Sequence, residues 1–385
     1  MFQEKKTVAV LSSHTKSLFW YRLDMMQEFI RRGCRVYAFA NEPEEQWTEK
    51  FAAYGIVYQQ IQVNRTGMNP LLDRKTVASI REKLQAVKPD CIFTYHAKTI
   101  IYGAMAANRL GITEVYPMIA GVGSVFLADS LKKKLLRSGV VLLYRRALRK
   151  CPAVFFQNRD DEDLFRSCGI LKNQKVVMVH GSGVNTEKFS PLPLPKTPAF
   201  LCISRLIRDK GVYEYLMACK KLKAAYPQVK CVLVGPFDTN PSALKPEEIQ
   251  PLIDDGTIEY WGEQEDVRPA LACCSVFVLP SYREGTPKVN LEAMACGRAV
   301  ITTDAPGCRE TVREGENGFL VPVRDAEAVC ERMIWFLEHP DAIGAMGRAG
   351  RSMAEEIFDV AKVNDTICTA MKICPVRNNT DEKLL

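Results

Sequence analysis

"SPLPLPKTPAFLCIS" (190–204) decides how this chain is organised. Prolines at 191, 193, 195 and 198 fix φ and remove amide hydrogens, so neither helix nor strand continues there. Directly afterwards "AFLCIS" (199–204) is a short unbroken apolar run, the kind that fills a parallel sheet covered on both faces. Residues 191–198 read as a linker, and 199 as the restart of a pattern already seen upstream. There "TVAVLS" (7–12), "CRVYAFA" (34–40), "DCIFTY" (90–95), "EVYPMIA" (114–120), "AVFFQN" (153–158) and "KVVMVH" (175–180) read as strands. The amphipathic run "LFWYRLDMMQEFIRRG" (18–33) separates the first two and stops at Gly33. Downstream, strands are expected at "KCVLVG" (230–235), "TIEYWG" (257–262), "SVFVLP" (275–280) and "RAVITT" (298–303). Helices are expected near 211–225, 287–296, 325–338 and 341–356.

Such alternation builds right-handed βαβ units. The expected class is α/β, with two Rossmann-like, doubly wound parallel-sheet domains facing a cleft. Their expected limits are 1–190 and 199–358, and 359–385 forms a crossover helix, "DVAKVNDTICTAMKI" (359–373), with a polar tail. Ligands of doubly wound sheets bind beyond the carboxyl ends of the strands, so the loops there are where chemistry is sought.

Composition narrows the class. A chain of 385 residues suits two domains, and 47% hydrophobic with 25% charged residues is that of a globular protein. No apolar run is long enough to span a bilayer, and "MFQEKKTVAVL" lacks the form of a secretory signal. The 14 cysteines are scattered without a C-x-x-C pair, which reads as buried small hydrophobes in a reducing compartment. The net charge of +7 divides unevenly: 29 Lys+Arg against 17 Asp+Glu over residues 1–190, and 23 against 28 thereafter. A basic first half favours an anionic partner.

Four loops or helices carry candidate chemistry. In "SYREGTPKVNLEAMACGR" (281–298) Glu284 stands in a Gly/Pro turn after a strand, and Glu292 recurs about two helical turns later. Pro287 suits a helix start, whose free amides attract anions, and Gly285 lets backbone approach a ligand. An ordinary surface helix would show the same spacing. In "SRLIRDKGVYEYL" (204–216) Arg205 and Lys210 flank the next helix start, where they would neutralise a diphosphate or stand as solvated cations. The turns "MIAGVGSVF" (118–126) and "HGSGVNTEKF" (180–189) are Gly-rich and weaker signals. "DSLKKKLLRSGVVLLYRRALRK" (129–150) carries Lys132, Lys133, Lys134, Arg137, Arg145, Arg146, Arg149 and Lys150 against Asp129 alone. That composition fits docking on an anionic membrane, or a helix packed on its own sheet with a solvated basic face, better than nucleic acid, for which no recognition motif is present. His14, Arg22, His96, Lys98 and His180 sit at or near strand ends, where each could touch substrate or serve structure.

In this order, "SRLIRDKG", "WGEQEDV", "LPSYREGTPKVNLEAMACGRAVITTDAPGCRET" and "GENGFLVP" resemble the nucleotide domain of retaining GT-B glycosyltransferases of family four, the E-x7-E group. "SLFWYRLDMMQEFIRRG", "NRTGMNPL", "TYHAKTIIYG" and "IAGVGSVF" are similar to a bacterial subgroup that extends polyprenyl-diphosphate-linked saccharides. The resemblance implies that Glu284 binds donor-sugar hydroxyls, with Gly285, Thr286, Pro287 and Lys288 around sugar and phosphate. It implies Glu292 on the ribose, Arg205 and Lys210 on the diphosphate, Glu263 by the base and Gly123 near the donor phosphates. Arg22 falls to the acceptor diphosphate, and His14, His96 and Lys98 to the acceptor side without a fixed role. The first loop, "SSHTKS", departs from the family in lacking a Gly-rich turn, and Thr286 and Lys288 are unusual choices.

By this resemblance the chain is a retaining transferase moving a sugar, N-acetylgalactosamine or another N-acetylhexosamine or hexose, from a UDP-sugar to an undecaprenyl-diphosphate-linked saccharide. No metal or other cofactor is expected, since no D-x-D motif here demands a divalent ion. The expected place is cytoplasmic, peripherally on the inner face of the plasma membrane. A UDP-sugar 2-epimerase shares the fold and is the competing class, as is the same transfer to a soluble acceptor; an inactive binding homologue is a third reading.

Overall fold

The computed structural model describes residues 5–64, 69–123, 126 and 131–374, with side chains from 136 onward in the last of these segments. Arg65–Met68 of "NRTGMNPL" and Ser124 and Val125 of "IAGVGSVF" therefore lie outside the described residues. The chain forms two compact units, Met1–Ser182 with Val363–Leu385, and Gly183–Lys362.

The first unit contains β1 (Thr7–Leu11), β2 (Arg35–Ala40), β3 (Val57–Gln60), β4 (Cys91–Tyr95), β5 (Val115–Ile119), β6 (Ala153–Phe156) and β7 (Lys175–Met178). They pair in the order β3-β2-β1-β4-β5-β6-β7, all parallel. The second holds β8 (Ala199–Ile203), β9 (Lys230–Val234), β10 (Glu259–Tyr260), β11 (Val276–Leu279), β12 (Ala299–Thr303) and β13 (Gly318–Val321). Their order is β10-β9-β8-β11-β12-β13, again parallel throughout. β8 and β11 are apolar along their whole length, and β1 and β4 depart from this only at Thr7 and Thr94, because helices cover both faces.

In each sheet the chain winds outward in one direction, returns to the centre and winds outward in the other. The reversal lies between β1 and β4 in the first unit and between β8 and β11 in the second. These are the two switch points, where diverging loops leave room for a ligand.

Two features of the sequence take specific forms. The proline-rich stretch belongs to the second unit, held there by a fully buried Arg298. Its Nε donates to the Leu271 carbonyl at 2.9 Å, and Nη1 and Nη2 donate to the Leu192 and Pro193 carbonyls at 3.0 and 2.9 Å. Arg351 Nη1 adds bonds to the Thr186 and Phe189 carbonyls at 3.0 and 2.7 Å. The C-terminal helix Val360–Ala370 returns to the first unit, where Val363, Ile367, Cys368 and Met371 join the core of Val8, Val10, Met26 and Phe29. Among the described residues no helix is long and apolar enough to cross a membrane.

Candidate active site

At the second switch point, β8 runs through Ser204–Gly211 into the helix Val212–Ala225, and β11 runs through Pro280–Pro287 into the helix Lys288–Ala295. The two loops are fastened to each other. Tyr282 N–H donates to the Asp209 carbonyl at 2.9 Å, and Ser281 Oγ lies 3.2 Å from the same carbonyl. Gly211 has φ +71, and a Cβ there would run into the Pro280 carbonyl, so only glycine permits this approach. The Lys210 ammonium pairs with the Glu284 carboxylate, and Ser281 Oγ donates to the same carboxylate oxygen at 3.0 Å. A third loop, after β12, completes the seat: Glu284 N–H donates to the Pro306 carbonyl at 2.9 Å. Gly307, at φ +82, lies against the Glu284 and Gly285 carbonyls with no space for a side chain. Glu284 is therefore fixed by backbone and side chain alike, and its charge is matched by an ammonium before any ligand arrives.

Arg205, in the same loop as Lys210, turns to another carboxylate. Its Nη1 lies 2.7 Å from Asp238 Oδ2 in the loop after β9, and its side chain stays 48% exposed. Burial acts to raise the Asp238 carboxyl, but the Arg205 hydrogen bond and the amides of Asn240 and Thr239 outweigh it and hold it below its usual range. Lys210 and Glu284 are thus brought together, whereas Arg205 is held by Asp238, which sequence reasoning did not single out.

Pro287 caps the helix Lys288–Ala295 in an extended conformation, Gly285 and Pro287 are buried, and Thr286 and Lys288 are half-buried. Glu292, in the second turn, is 8% exposed. Burial pushes it up to about 7; the Lys288 and Lys188 charges act against the rise and Asp266 adds to it. Burial makes the ionised carboxylate costly, and hydrogen bonds from the hydroxyl groups of a ligand would offset that cost. Glu263 lies in the loop after β10, where its charge adds to the effect of burial in raising the Tyr260 hydroxyl.

At the first switch point, β1 delivers Ser12 and Ser13, and β4 delivers His96. His96 Nδ1 lies 3.3 Å from Ser12 Oγ and 3.2 Å from Ser13 Oγ, its ring 4.3 Å from that of Tyr95. It starts the helix Ala97–Arg109 with φ +71, a left-handed conformation rare outside glycine. His14 precedes the helix Thr15–Arg31, with Nε2 3.5 Å from Glu42 Oε1. The Thr15 amide at that helix start donates to Glu42 Oε2 at 2.6 Å, so a carboxylate of this chain already occupies that amide. Lys98 pairs with Asp73 at 3.1 Å, away from His96 Nδ1 and its serines. Gly123 has φ +75. Arg22 is 3% exposed, stacked over Tyr95 and Phe93 at 5.0 and 5.7 Å, with Nη2 2.8 Å from Met118 Sδ. Burial without a carboxylate lowers its guanidinium to about 10.

The basic segment is helical from Leu131 to Leu148; the side chains of Lys132, Lys133 and Lys134 lie outside the described residues. Two cations serve the fold: Arg137 Nη2 reaches Cys168 Sγ at 3.2 Å and Arg145 donates to the Cys168 carbonyl. Arg146, Arg149 and Lys150 are exposed, and Leu142 among them is 66% exposed.

Residues 20–188 match the Glycosyltransferase Family 4 domain, and residues 197–339 match the Glycosyl transferases group 1 domain. The chain is a family 4, group 1 glycosyltransferase. It is 27% identical over 345 residues to the N,N'-diacetylbacillosaminyl-diphospho-undecaprenol alpha-1,3-N-acetylgalactosaminyltransferase of Campylobacter jejuni, covering 86% of this chain and 89% of that one. Sucrose-phosphate synthase from Thermosynechococcus elongatus superposes with a TM-score of 0.80 over 96% of this chain and 98% of that one, at 20% identity. Anabaena Alr3699/HepE, solved in complex with UDP, superposes with a TM-score of 0.76 over 96% and 100% of the two chains, at 18% identity. Both neighbours share the fold of this glycosyltransferase, two Rossmann-like units of the GT-B kind.

Proposed function

We propose that this glycosyltransferase moves an N-acetylhexosamine or hexose, N-acetylgalactosamine first among them, from a UDP-sugar to a hydroxyl of an undecaprenyl-diphosphate-linked saccharide. The anomeric configuration is retained, and no metal ion or other cofactor takes part. The observation that carries this reading is the Lys210–Glu284 contact at the β8/β11 switch point, where a cation and a carboxylate are fastened to one another by three loops. Support for the acceptor comes from the Campylobacter relative, whose name specifies a diphospho-undecaprenol substrate. Support for the donor comes from the UDP-bound neighbour.

The chemistry asks for stabilisation of a leaving diphosphate. The bond from the anomeric carbon to the phosphate oxygen breaks while the acceptor oxygen bonds to that carbon on the same face. The acceptor proton passes to the departing phosphate oxygen, so no protein nucleophile is required. Lys210, Arg205 and the amides at the start of Lys288–Ala295 would meet the charge that grows on the phosphate. Glu284 would take hydroxyls of the donor sugar as Lys210 turns to phosphate, and Glu292 the ribose hydroxyls. The exposed Arg146, Arg149, Lys150 and Leu142 would rest on the anionic inner face of the plasma membrane, where a lipid-linked acceptor resides.

A panel of UDP- and GDP-sugars with a polyprenyl-diphosphate saccharide extract, with EDTA present and read by mass spectrometry, tests the reading. The expected result is one added N-acetylhexosamine or hexose from a UDP donor. No mass gain from any donor, or conversion of UDP-N-acetylglucosamine alone into its 2-epimer, would overturn it.

A further inference from the structure

Glu214, in the first turn of the helix Val212–Ala225, is 5% exposed. Its Oε1 accepts a hydrogen bond of 2.7 Å from the Tyr282 hydroxyl, while Oε2 is buried with no hydrogen-bond partner among the described residues. Tyr282 stands two residues before Glu284, and its own amide is tied to the Asp209 carbonyl. The Arg324 guanidinium, from a residue at φ +65, lies 4.9 Å from the centroid of the Tyr282 ring. Burial, and then the hydrogen bond and charge of Glu214, push the Tyr282 hydroxyl up to about 12, so it remains a donor at every physiological pH. A buried carboxylate with one oxygen unpaired is a poor choice for stability alone, because an apolar pair of the same shape would cost less. Such groups persist where they fix one conformation of a neighbouring segment.

We propose that Glu214 and Tyr282 are positioning residues: through the phenol–carboxylate bond they hold the 281–287 loop in the one arrangement that sets Glu284 against Lys210. The bond anchors the loop on the flank occupied by the helix Val212–Ala225, while Asp209 and Pro306 anchor its backbone elsewhere. Without it the loop keeps its backbone ties and the Ser281 and Lys210 contacts to Glu284, but loses its side-chain tie to the helix Val212–Ala225. The proposal rests on the reading of Glu284 as a donor-site residue only where turnover is measured.

The experiment uses the full chain with Tyr282→Phe, Glu214→Gln, and the double variant Tyr282→Phe/Glu214→Leu, which leaves no buried charge behind. Amide hydrogen exchange over 281–287 is measured without donor. The expected result is at least tenfold faster exchange in Tyr282→Phe and in the double variant, and near-parent exchange in Glu214→Gln, whose amide oxygen still accepts from the phenol. In turnover, kcat is expected to fall about 10- to 100-fold with donor KM within about threefold, and Glu214→Gln to stay within about twofold of the parent. A double variant with parent melting temperature, parent exchange and parent kcat would overturn the proposal. So would a kcat loss in Tyr282→Phe that the double variant fully restores together with its melting temperature. The exchange arm needs no substrate, so a wrong donor assignment would leave it intact and silence only the turnover arm.

Discussion

Replacing Glu292 by glutamine should make this enzyme more stable and less able to bind its donor. The carboxyl is almost wholly buried, and burial raises it from the ordinary 4.5 to about 7 in the folded chain. Between those two values the folded state holds a proton that the unfolded state has released, so stability falls as pH rises through this window. The difference, 7 − 4.5 = 2.5, corresponds to roughly 3 kcal/mol of destabilisation, fully present above pH 7 and absent below about 4.5. Glutamine keeps the shape and carries no charge. Glu292→Gln is therefore expected to gain about 3 kcal/mol at pH 8 and nearly nothing at pH 4.5. Urea unfolding at the two pH values measures it, followed through the tryptophans of the second unit, Trp261 and Trp335. Equal stability changes at both pH values would refute the reasoning, since a shape effect does not depend on protonation.

The same geometry sets other outcomes. With ribose hydroxyls donating to the ionised carboxylate, as proposed, UDP affinity of the parent should fall as pH drops below 7, by up to about tenfold per pH unit, in calorimetric titrations from pH 8 to 6. Lys210→Met and Glu284→Ala should each lower transfer by about 10²–10³-fold, measured as kcat on folded protein, and Lys210→Arg should not restore the compact ammonium contact. Arg298→Met strands the Leu192 and Pro193 carbonyls and should cost roughly 3–5 kcal/mol, visible as a lower urea midpoint with little change in kcat per folded molecule. Reversing Arg146, Arg149 and Lys150 to glutamate should abolish sedimentation with anionic vesicles at about 0.1 M salt and leave transfer to a short-chain, water-soluble acceptor unchanged.

Much of this was legible in the residues because burial writes itself as unbroken apolar runs. β1, β4, β8 and β11 are covered on both faces, and each could be read from its composition. β3 could not: "VYQQ" (57–60) is an edge strand with one fully buried side chain, and its polar letters resemble a loop. β10 shrinks to Glu259–Tyr260 within the six-residue run expected, again at a sheet edge. The proline run marked a break in regular structure correctly, but its attachment depends on Arg298, a distant cation that no local pattern connects to it. The donor-site candidates behaved similarly. Glu284 and Lys210, 74 positions apart in sequence, were each visible as strand-end residues, and their contact follows from β8 and β11 being neighbours. Asp238, Ser281, Glu42 and Glu214 carried no signal of their own. Asp238, Ser281 and Glu42 contact residues that do, Arg205, Glu284 and His14, and that relation exists only after folding.

Lys210, Glu284 and their loops are proposed to serve a front-face sugar transfer from a nucleotide donor. Proton NMR of the first-formed product, made from an α-linked UDP-sugar with EDTA present, tests it most directly. The expected product is a new glycoside with the small anomeric coupling of an α linkage, absent when Glu284→Ala replaces the parent. A β-linked product, or equal transfer by Glu284→Ala, would contradict it.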